Sequence, residues 1–124
     1  MPLRALIVDD EGMVRKVLMR MLLARGVSVQ TASTPREAHA LFESNEGGPF
    51  DLLITDVMIP EGGGVVLARE LTARRPSLRV LFVSGYAAGN ETKTWQHDRA
   101  RFLTKPFGSA ELVQAISDLF PGFE

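Results

Sequence analysis

Residues 5–10 read Ala-Leu-Ile-Val-Asp-Asp, an unbroken apolar run that ends in two carboxylates. A short run that is apolar at every position is typical of a strand in a parallel sheet whose two faces are both covered. Four further short runs follow along the chain, at residues 27–29, 52–54, 80–83 and 102–103. The last three are again continuously apolar, whereas Val27-Ser28-Val29 alternates and therefore predicts an edge strand.

Longer stretches with helical periodicity separate these strands. In the first, the apolar residues at 14, 17, 18, 21 and 22 fall on one face of a helix. The second opens with Thr34-Pro35-Arg36-Glu37, the pattern of a capping box with proline at the first helical position. A third helix is predicted from about Gly64 to Arg75, where Pro76 ends it.

A last helix begins near Gly108-Ser109, and its predicted buried residues are Leu112, Val113, Ile116, Leu119 and Phe120. Residues 88–98 predict only a weak helix, because Trp95 is the one large apolar residue there. Five strands that alternate with helices predict an α/β fold, a doubly wound five-stranded parallel sheet with helices on both faces. The short first connection favours the flavodoxin-like strand order 2-1-3-4-5, in a single domain over residues 1–124.

Composition excludes several classes of function. Lys and Arg number 14 and Asp and Glu number 15, so the net charge of −1 gives no basic field for nucleic acid or anionic lipid. Arg69, Arg74, Arg75 and Arg79 are close in sequence, and we interpret them as a solvated helix end. The absence of cysteine excludes disulfides and thiolate metal sites. No apolar run approaches the roughly 20 residues of a membrane span, and no signal peptide is recognisable, so a cytoplasmic location is predicted.

Polar side chains follow four of the five predicted strands. Asp9 and Asp10 end the first strand, Asp56 ends the third, Ser84 ends the fourth, and the fifth leads into Lys105. Each residue alone has an ordinary explanation, as a helix cap, a loop residue, a turn residue or a surface lysine. Because the carboxyl ends of parallel strands meet at one edge of the sheet, where ligands bind in this fold class, their combination predicts a site.

The charges at this edge indicate its chemistry. Two carboxylates about 4 Å apart repel by roughly 4 kcal/mol at an effective dielectric of about 20, so three of them would raise one another's pKa or recruit a cation. Oxygen ligands select a hard ion, and Mg²⁺ best fits a few carboxylates with water and a phosphoryl oxygen. The Asp56 carboxylate can act as a nucleophile toward phosphorus, with Lys105 and Ser84 neutralising charge. His39 and His97 are interpreted as surface residues rather than ligands.

These residues resemble the receiver domains of two-component response regulators. The matching motifs are Asp9-Asp10, Asp56 followed by Pro60 and Gly64, Ser84-Gly85, and Lys105-Pro106-Phe107. Residues 82–86, Phe-Val-Ser-Gly-Tyr, are similar to receivers fused to hybrid sensor kinases. The resemblance implies a phosphorylation-activated switch that takes its phosphoryl group from the phosphohistidine of a histidine kinase or phosphotransfer domain. Such a domain catalyses its own phosphorylation and dephosphorylation and is not an enzyme on external substrates.

The resemblance also implies a role for each site residue. Asp56 is the phosphoacceptor. It would ligate Mg²⁺ together with Asp10, with Asp9 mostly through water, and with the backbone carbonyl of Met58. The side chain at position 58 does not matter for that contact, so methionine there leaves metal binding intact. Glu61-Gly62-Gly63-Gly64 is richer in glycine than usual in the family and suggests a mobile loop near the site.

Three further residues carry the switch that the resemblance implies. Lys105 pairs with the phosphoryl group and precedes a cis proline, Pro106. Ser84 moves to bond the phosphoryl group, and Phe102 turns inward behind it. The affected face comprises residues 88–98, the fifth strand and the last helix, and an effector or a second copy of the chain would bind there. Because residues 87–101 are short and polar for a fourth helix, the details of that face are left open.

Three alternatives remain open at this point. An aspartyl phosphatase of the haloacid dehalogenase type would carry a second aspartate two residues after the nucleophile, where this chain has Met58. A flavodoxin-like protein would need phosphate donors in the first loop, where Asp9-Asp10-Glu11 would repel the phosphate. An interaction domain without phosphorylation would not need every acceptor, metal and switch position filled. The chain ends at Glu124, soon after the last helix, which leaves no DNA-binding domain within it; it is either a single-domain regulator or a part cut from a longer protein, and we expect no direct nucleic-acid contact.

Overall fold

The computed structural model describes residues 3–44, 46–85 and 99–123. The elements in chain order are β1 (Arg4–Val8), α1 (Gly12–Leu23), β2 (Ser28–Ala32), α2 (Pro35–Ser44), β3 (Leu52–Asp56), α3 (Gly63–Arg74), β4 (Arg79–Ser84), β5 (Ala100–Thr104) and α4 (Ser109–Leu119). The weak helix predicted at residues 88–98 lies outside the described residues, as do Tyr86 and His97.

The strands form one parallel sheet in the order β2-β1-β3-β4-β5, which confirms the predicted topology. The alternating strand β2 lies at an edge, as predicted, and its exposed and half-buried residues alternate until Ala32. The continuous run in β5 was predicted to be covered on both faces, and it is covered only in part, with Phe102 against one apolar layer and Leu103 against the other. Phe102 and Leu103 are only half-buried, because β5 is the other edge strand and has a neighbour on one side.

Alternate residues of each strand point to opposite faces, so the sheet builds two apolar layers. One layer packs against α2 and α3, with Leu6, Val8, Leu53, Val80 and Phe82 from the strands and Leu67 and Leu71 from α3. The other packs against α1 and α4, with Ile7, Ile54, Leu81 and Val83 from the strands and Leu18, Leu22, Leu112 and Ile116 from the helices. Burial of each such side chain contributes about 1.5–3 kcal/mol, so this sandwich fixes the strand ends in place.

The helices begin and end within a few residues of their predicted bounds, but not every residue predicted for a buried helix face is buried. Val17 of α1 is 45% exposed, and Val113 of α4 and Phe120 just after it are only half-buried. Each of them is apolar, so apolar character alone did not distinguish them from the fully buried residues of the same helices. None of the helices within the described residues is long and apolar enough to cross a membrane.

The capping box of α2 has one hydrogen bond in the standard position, and its return hydrogen bond reaches one residue further back, to Ser33. The hydroxyl of Thr34 accepts a hydrogen bond from the backbone N–H of Glu37 at 3.2 Å. The carboxylate of Glu37 in turn accepts from the backbone N–H of Ser33 at 3.1 Å and from the Ser33 hydroxyl. These hydrogen bonds, that from the Ser33 hydroxyl first, lower the pKa of Glu37. The predicted helix start is confirmed, and Ser33 is the additional partner.

The four arginines that were interpreted as one solvated helix end do not lie together; they contact different parts of the protein. Arg74 pairs with Glu43 at 3.2 Å and lies over the ring of Phe42, and Arg79 lies over the ring of Phe120. Arg69 lies more than one turn earlier on α3 and lines a groove near residue 58 instead. The arginines are therefore spread over different parts of the surface. Arg69 and Arg74 lie on different sides of α3, because a helix places residues five positions apart on different sides.

Candidate functional site

The predicted site residues meet at the carboxyl edge of the sheet because the strands end level with one another. Val8 of β1 is paired with Thr55 of β3, and Ser84 of β4 is paired with Thr104 of β5. Beyond the strands the backbone continues to pair, since the Lys105 N–H donates to the Ser84 carbonyl at 2.7 Å. The Lys105-Pro106 peptide bond is cis, as predicted. Asp9, Asp56, Ser84 and Lys105 are thereby held close together.

The ammonium group of Lys105 joins the two buried aspartates. Its Nζ lies 2.9 Å from Asp56 Oδ2 and 3.0 Å from Asp9 Oδ2. Asp9 is fully buried and Asp56 is 6% exposed, so neither carboxylate is well solvated. The second oxygen of each aspartate accepts a backbone N–H two residues further along. Asp9 Oδ1 accepts from Glu11 at 2.9 Å, and Asp56 Oδ1 accepts from Met58 at 3.0 Å. Both carboxylates are therefore fixed in orientation.

Burial shifts the pKa values of the carboxyl and ammonium groups in this cluster in opposite directions. Burial is the largest influence on Asp9 and raises the pKa of its carboxyl, although hydrogen bonds from the Glu11 N–H and from Lys105 oppose it. Burial would lower the pKa of Lys105, but its hydrogen bonds to Asp56 and Asp9 outweigh that effect and the pKa is raised. Lys105 is accordingly a stable cation, yet one ammonium does not balance the carboxylates around it.

Four carboxylates form the acidic part of the site. Oxygens of Asp9, Asp10, Glu11 and Asp56 lie within 4.8 Å of one another, with Asp10 and Glu11 exposed. The donor set consists of oxygens, which suits a hard divalent cation such as Mg²⁺. Glu11 was noted in the sequence only as the residue after the acidic pair. The structure adds it to the group, 3.7 Å from Lys105 Nζ.

An open cleft of about 290 Å³ leads to these carboxylates, and its lining residues are Asp10, Glu11, Asp56, Met58, Ser84, Gly85 and Lys105. The cleft thus brings together the predicted acceptor, metal and phosphoryl-binding residues. Phe102 lies away from it on β5, where it is paired with Phe82 and packs against the layer under α2 and α3. His39 pairs with Glu70 at 2.9 Å and its side chain is partly exposed, which agrees with its interpretation as a surface residue.

Two residues, Arg15 and Gly64, support the site through contacts that the sequence did not predict. Arg15 of α1 donates from Nη1 to the backbone carbonyl of Asp9 at 2.6 Å and so bonds the loop that carries the acidic residues. Gly64 of α3 donates its N–H to the Val57 carbonyl at 2.9 Å. A methyl group at Gly64 would overlap the carbonyl oxygen of Asp56, so glycine permits this close approach. Both contacts span six or seven residues across a loop and depend on how the following helix packs, so the sequence motif marked Gly64 without indicating its contact.

The glycine-rich loop before α3 follows a left-handed path. Glu61, Gly62 and Gly63 have φ values of 61°, 103° and 88°, which glycine adopts at low cost and other residues do not. The glycines therefore serve a tight turn that delivers α3 onto the end of β3. The mobility predicted for this loop stays a prediction.

The sequence model of the response regulator receiver domain matches residues 5–117, nearly the whole chain. This chain belongs to the receiver domain family. Receiver domains are phosphoryl-accepting signalling domains of two-component systems, and they bind Mg²⁺ at an acidic pocket. They interact with histidine kinases or phosphotransfer proteins. The resemblance noted in the sequence is thereby confirmed.

This receiver domain is similar to proteins of two different lengths. It is 36% identical over 115 residues to the sensor kinase CckA of Brucella abortus strain 2308, a match that covers 92% of this chain and 12% of the kinase. It is 33% identical over 118 residues to the response regulator receiver protein CpdR of the same strain, covering 94% of this chain and 95% of CpdR. A solved receiver protein from Sinorhizobium medicae WSM419 is 27% identical, with a TM-score of 0.83 and coverage of 99% and 98% of the two chains.

Proposed function

We propose that this receiver domain accepts a phosphoryl group on Asp56 from the phosphohistidine of a histidine kinase or phosphotransfer protein, in a reaction that requires Mg²⁺. The observation that carries the proposal is the contact of Lys105 Nζ with Asp56 at 2.9 Å and Asp9 at 3.0 Å, at the base of an open acidic cleft. A buried carboxylate with a fixed cation beside it is suited to attack phosphorus, because charge neutralisation and positioning supply most of the catalysis in phosphoryl transfer.

The residues that would hold Mg²⁺ are Asp10 and Asp56 directly, Asp9 mostly through water, and Met58 through its backbone carbonyl. Their carboxylates lie within one oxygen-rich group, which supports this set, and Met58 lines the same cleft. The bound ion would supply the positive charge that neutralises the carboxylates and the incoming phosphoryl oxygens. Asp10 is exposed and so presents its carboxylate to solvent, ready for a cation.

In the transfer step, an oxygen of Asp56 forms a bond to phosphorus while the bond from phosphorus to the donor imidazole nitrogen breaks. Lys105 already lies within hydrogen-bond distance of Asp56, so it needs little movement to contact the phosphoryl oxygens. Ser84 lines the cleft and carries a hydroxyl that can donate to those oxygens. Gly85 beside it is exposed and has open space at its Cα, which leaves room for the group. The same site would later direct hydrolysis of the acyl phosphate.

The response to phosphorylation would run through Ser84 and Phe102. Ser84 would move toward the phosphoryl group, and Phe102, which is half-buried on the edge strand β5, would turn inward. The affected face comprises residues 88–98, β5 and α4, and an effector or a second copy of the chain would read it there. The half-buried position of Phe102 supports this role, because a side chain at an edge can change its burial without disrupting the core.

The direct test is labelling with acetyl phosphate in the presence and absence of Mg²⁺. We expect one phosphoryl group per chain, labile at alkaline pH, and its loss in Asp56→Asn. Asp118→Asn is the matched control, since Asp118 is an exposed aspartate on α4 far along the chain from the site. Asp10→Asn should retain labelling at a higher Mg²⁺ concentration, because a charged ligand is removed. Label that persists in Asp56→Asn would show that another residue is the acceptor.

A further inference from the structure

An apolar groove lies beside the phosphoacceptor cleft, between the loop after β3 and the first turns of α3. Its volume is about 660 Å³, and Met58, Ile59, Pro60, Val65 and Val66 supply most of its apolar lining. We refer to it as the α3 groove. Met58 is 64% exposed and Val66 is 43% exposed; the other exposed large apolar residues in the described part of the chain, Met13, Val17 and Leu23, lie on α1. Single exposed apolar residues are ordinary, but two beside one groove form a patch that can bind a partner.

The α3 groove adjoins the cleft that leads to Asp56. Asp10 and Met58 line both of them, so a partner that covers these two side chains borders both the groove and the cleft. Asp56 itself is only 6% exposed and lies at the base of its cleft. A phosphoryl donor must bring phosphorus to within about 3–3.5 Å of an Asp56 oxygen before reaction. A donor of protein size therefore covers the exposed Met58 side chain.

We infer that the α3 groove receives an apolar side chain of the protein that delivers the phosphoryl group to Asp56. This inference rests on the proposed function and names the surface by which the donor is recognised. On a donor helix, side chains three or four positions apart lie about 5–6 Å from one another. A residue so placed relative to the phosphohistidine would lie beside the reacting group, on the side where Met58 borders both the cleft and the groove. A small donor such as acetyl phosphate has no such side chain and needs no groove.

A second copy of this chain is the competing occupant. A copy seated in the groove would cover Met58 and obstruct the approach to Asp56, so it would have to leave before each transfer. A phosphoryl donor has no such conflict, because it must contact this part of the surface in any event. Because the groove and the cleft share Asp10 and Met58, the phosphoryl donor is favoured over a second copy as the occupant of the groove.

The test compares a protein donor with a small donor in the variant Val66→Gln. Glutamine is uncharged, so it leaves the field at Asp10 unchanged, and its helix propensity is at least that of valine. Leu23→Gln is the matched control, because Leu23 is 52% exposed on α1 and belongs to neither lining. The protein donors are the histidine kinases of the same genome, each autophosphorylated with ATP and screened for transfer to the parent chain.

We expect Val66→Gln to lower the initial rate of transfer from the kinase by about 5- to 10-fold at low receiver concentration, as loss of a partly buried valine contact implies. Val66→Leu should retain the parent rate. Labelling by acetyl phosphate should stay within about twofold of the parent in all variants, and Leu23→Gln should leave both rates unchanged.

Several results would overturn the inference. These are equal rates from the kinase in Val66→Gln and the parent, or an equal fall with both donors. A change in dimer content on size exclusion without a change in transfer would instead assign the groove to a second copy. If acetyl phosphate labels the parent but neither a kinase nor a phosphotransfer protein phosphorylated by one does, delivery by a protein donor is wrong and the inference falls with it. If neither acetyl phosphate nor a protein donor labels the parent chain, the proposed function itself is refuted.

Discussion

Gly64→Ala is the substitution by which the structure most directly tests how α3 positions the phosphoacceptor. The added methyl group would overlap the backbone carbonyl oxygen of Asp56 and lie 2.9 Å from Thr55 Oγ1 and 3.0 Å from the carbonyl carbon of Asp56. Favourable contacts of carbon with other heavy atoms lie near about 3.5–4.0 Å, so the helix start and the end of β3 must separate by roughly 1 Å. Both are backbone segments fixed by a buried sheet, and neither can yield by a rotamer change.

The expected change in the free energy of unfolding of Gly64→Ala is the sum of opposing contributions. Overpacking of this kind costs about 1–3 kcal/mol, and separation also weakens the hydrogen bond from the Gly64 N–H to the Val57 carbonyl, now 2.9 Å, by a further ~1 kcal/mol. Alanine regains about 0.8–1.0 kcal/mol over glycine through its helix propensity. We therefore expect the free energy of unfolding to fall by about 1–3 kcal/mol. Because Asp56 lies at the displaced backbone, a 1 Å shift should also slow its phosphorylation, by up to about 100-fold.

The assay combines urea unfolding with acetyl phosphate labelling at a temperature where the variant remains folded. Gly12→Ala is the matched control, since Gly12 is the first residue of α1 beside the same site. A methyl group there meets only Arg15 Nη2, at an ordinary 3.5 Å, so this variant should keep the parent stability or gain up to about 1 kcal/mol through helix propensity, the opposite direction to Gly64→Ala. If Gly64→Ala is as stable as the parent and is labelled as fast, the close approach does not position Asp56.

Two further predictions concern the loops around the site. Arg15→Ala should raise the Mg²⁺ concentration for half-maximal labelling by about threefold or more, because the bond to the Asp9 carbonyl is lost, while Lys16→Ala should not. Removal of positive charge alone would strengthen Mg²⁺ binding, so an unchanged or lower requirement would contradict this positioning role. The pKa of Glu37 is lowered in the folded state, chiefly by the hydrogen bond from the Ser33 hydroxyl. The ionised Glu37 carboxylate therefore stabilises the fold at pH values above its unfolded pKa near 4.5, and this stabilisation is lost as the pH falls through the lower folded pKa. The difference in melting temperature between the parent and Glu37→Gln should therefore shrink from about pH 7 to about pH 3, and a constant difference would refute the assignment.

Two kinds of sequence signal predicted the fold well, and one was less reliable. Continuous apolar runs identified the strands, because strands covered on both faces need apolar residues at every position. The alternating run placed β2 at an edge for the converse reason. Helical periodicity gave the direction of each buried face but not its width, so Val17 and Val113 were assigned to the core and are partly exposed. The width of a face depends on what packs against it, and that is a property of the neighbouring element.

The sequence by itself determined which residues reach the site. A parallel sheet places the residues after its strands at one edge, so Asp9, Asp56, Ser84 and Lys105 could be grouped from their positions alone. Their distances, the addition of Glu11 to the acidic group, and the apolar groove beside Met58 were decided by the tertiary structure. These depend on how closely the loops approach one another. That approach is fixed by the packing of α1 and α3 on the sheet, through contacts between residues far apart along the chain.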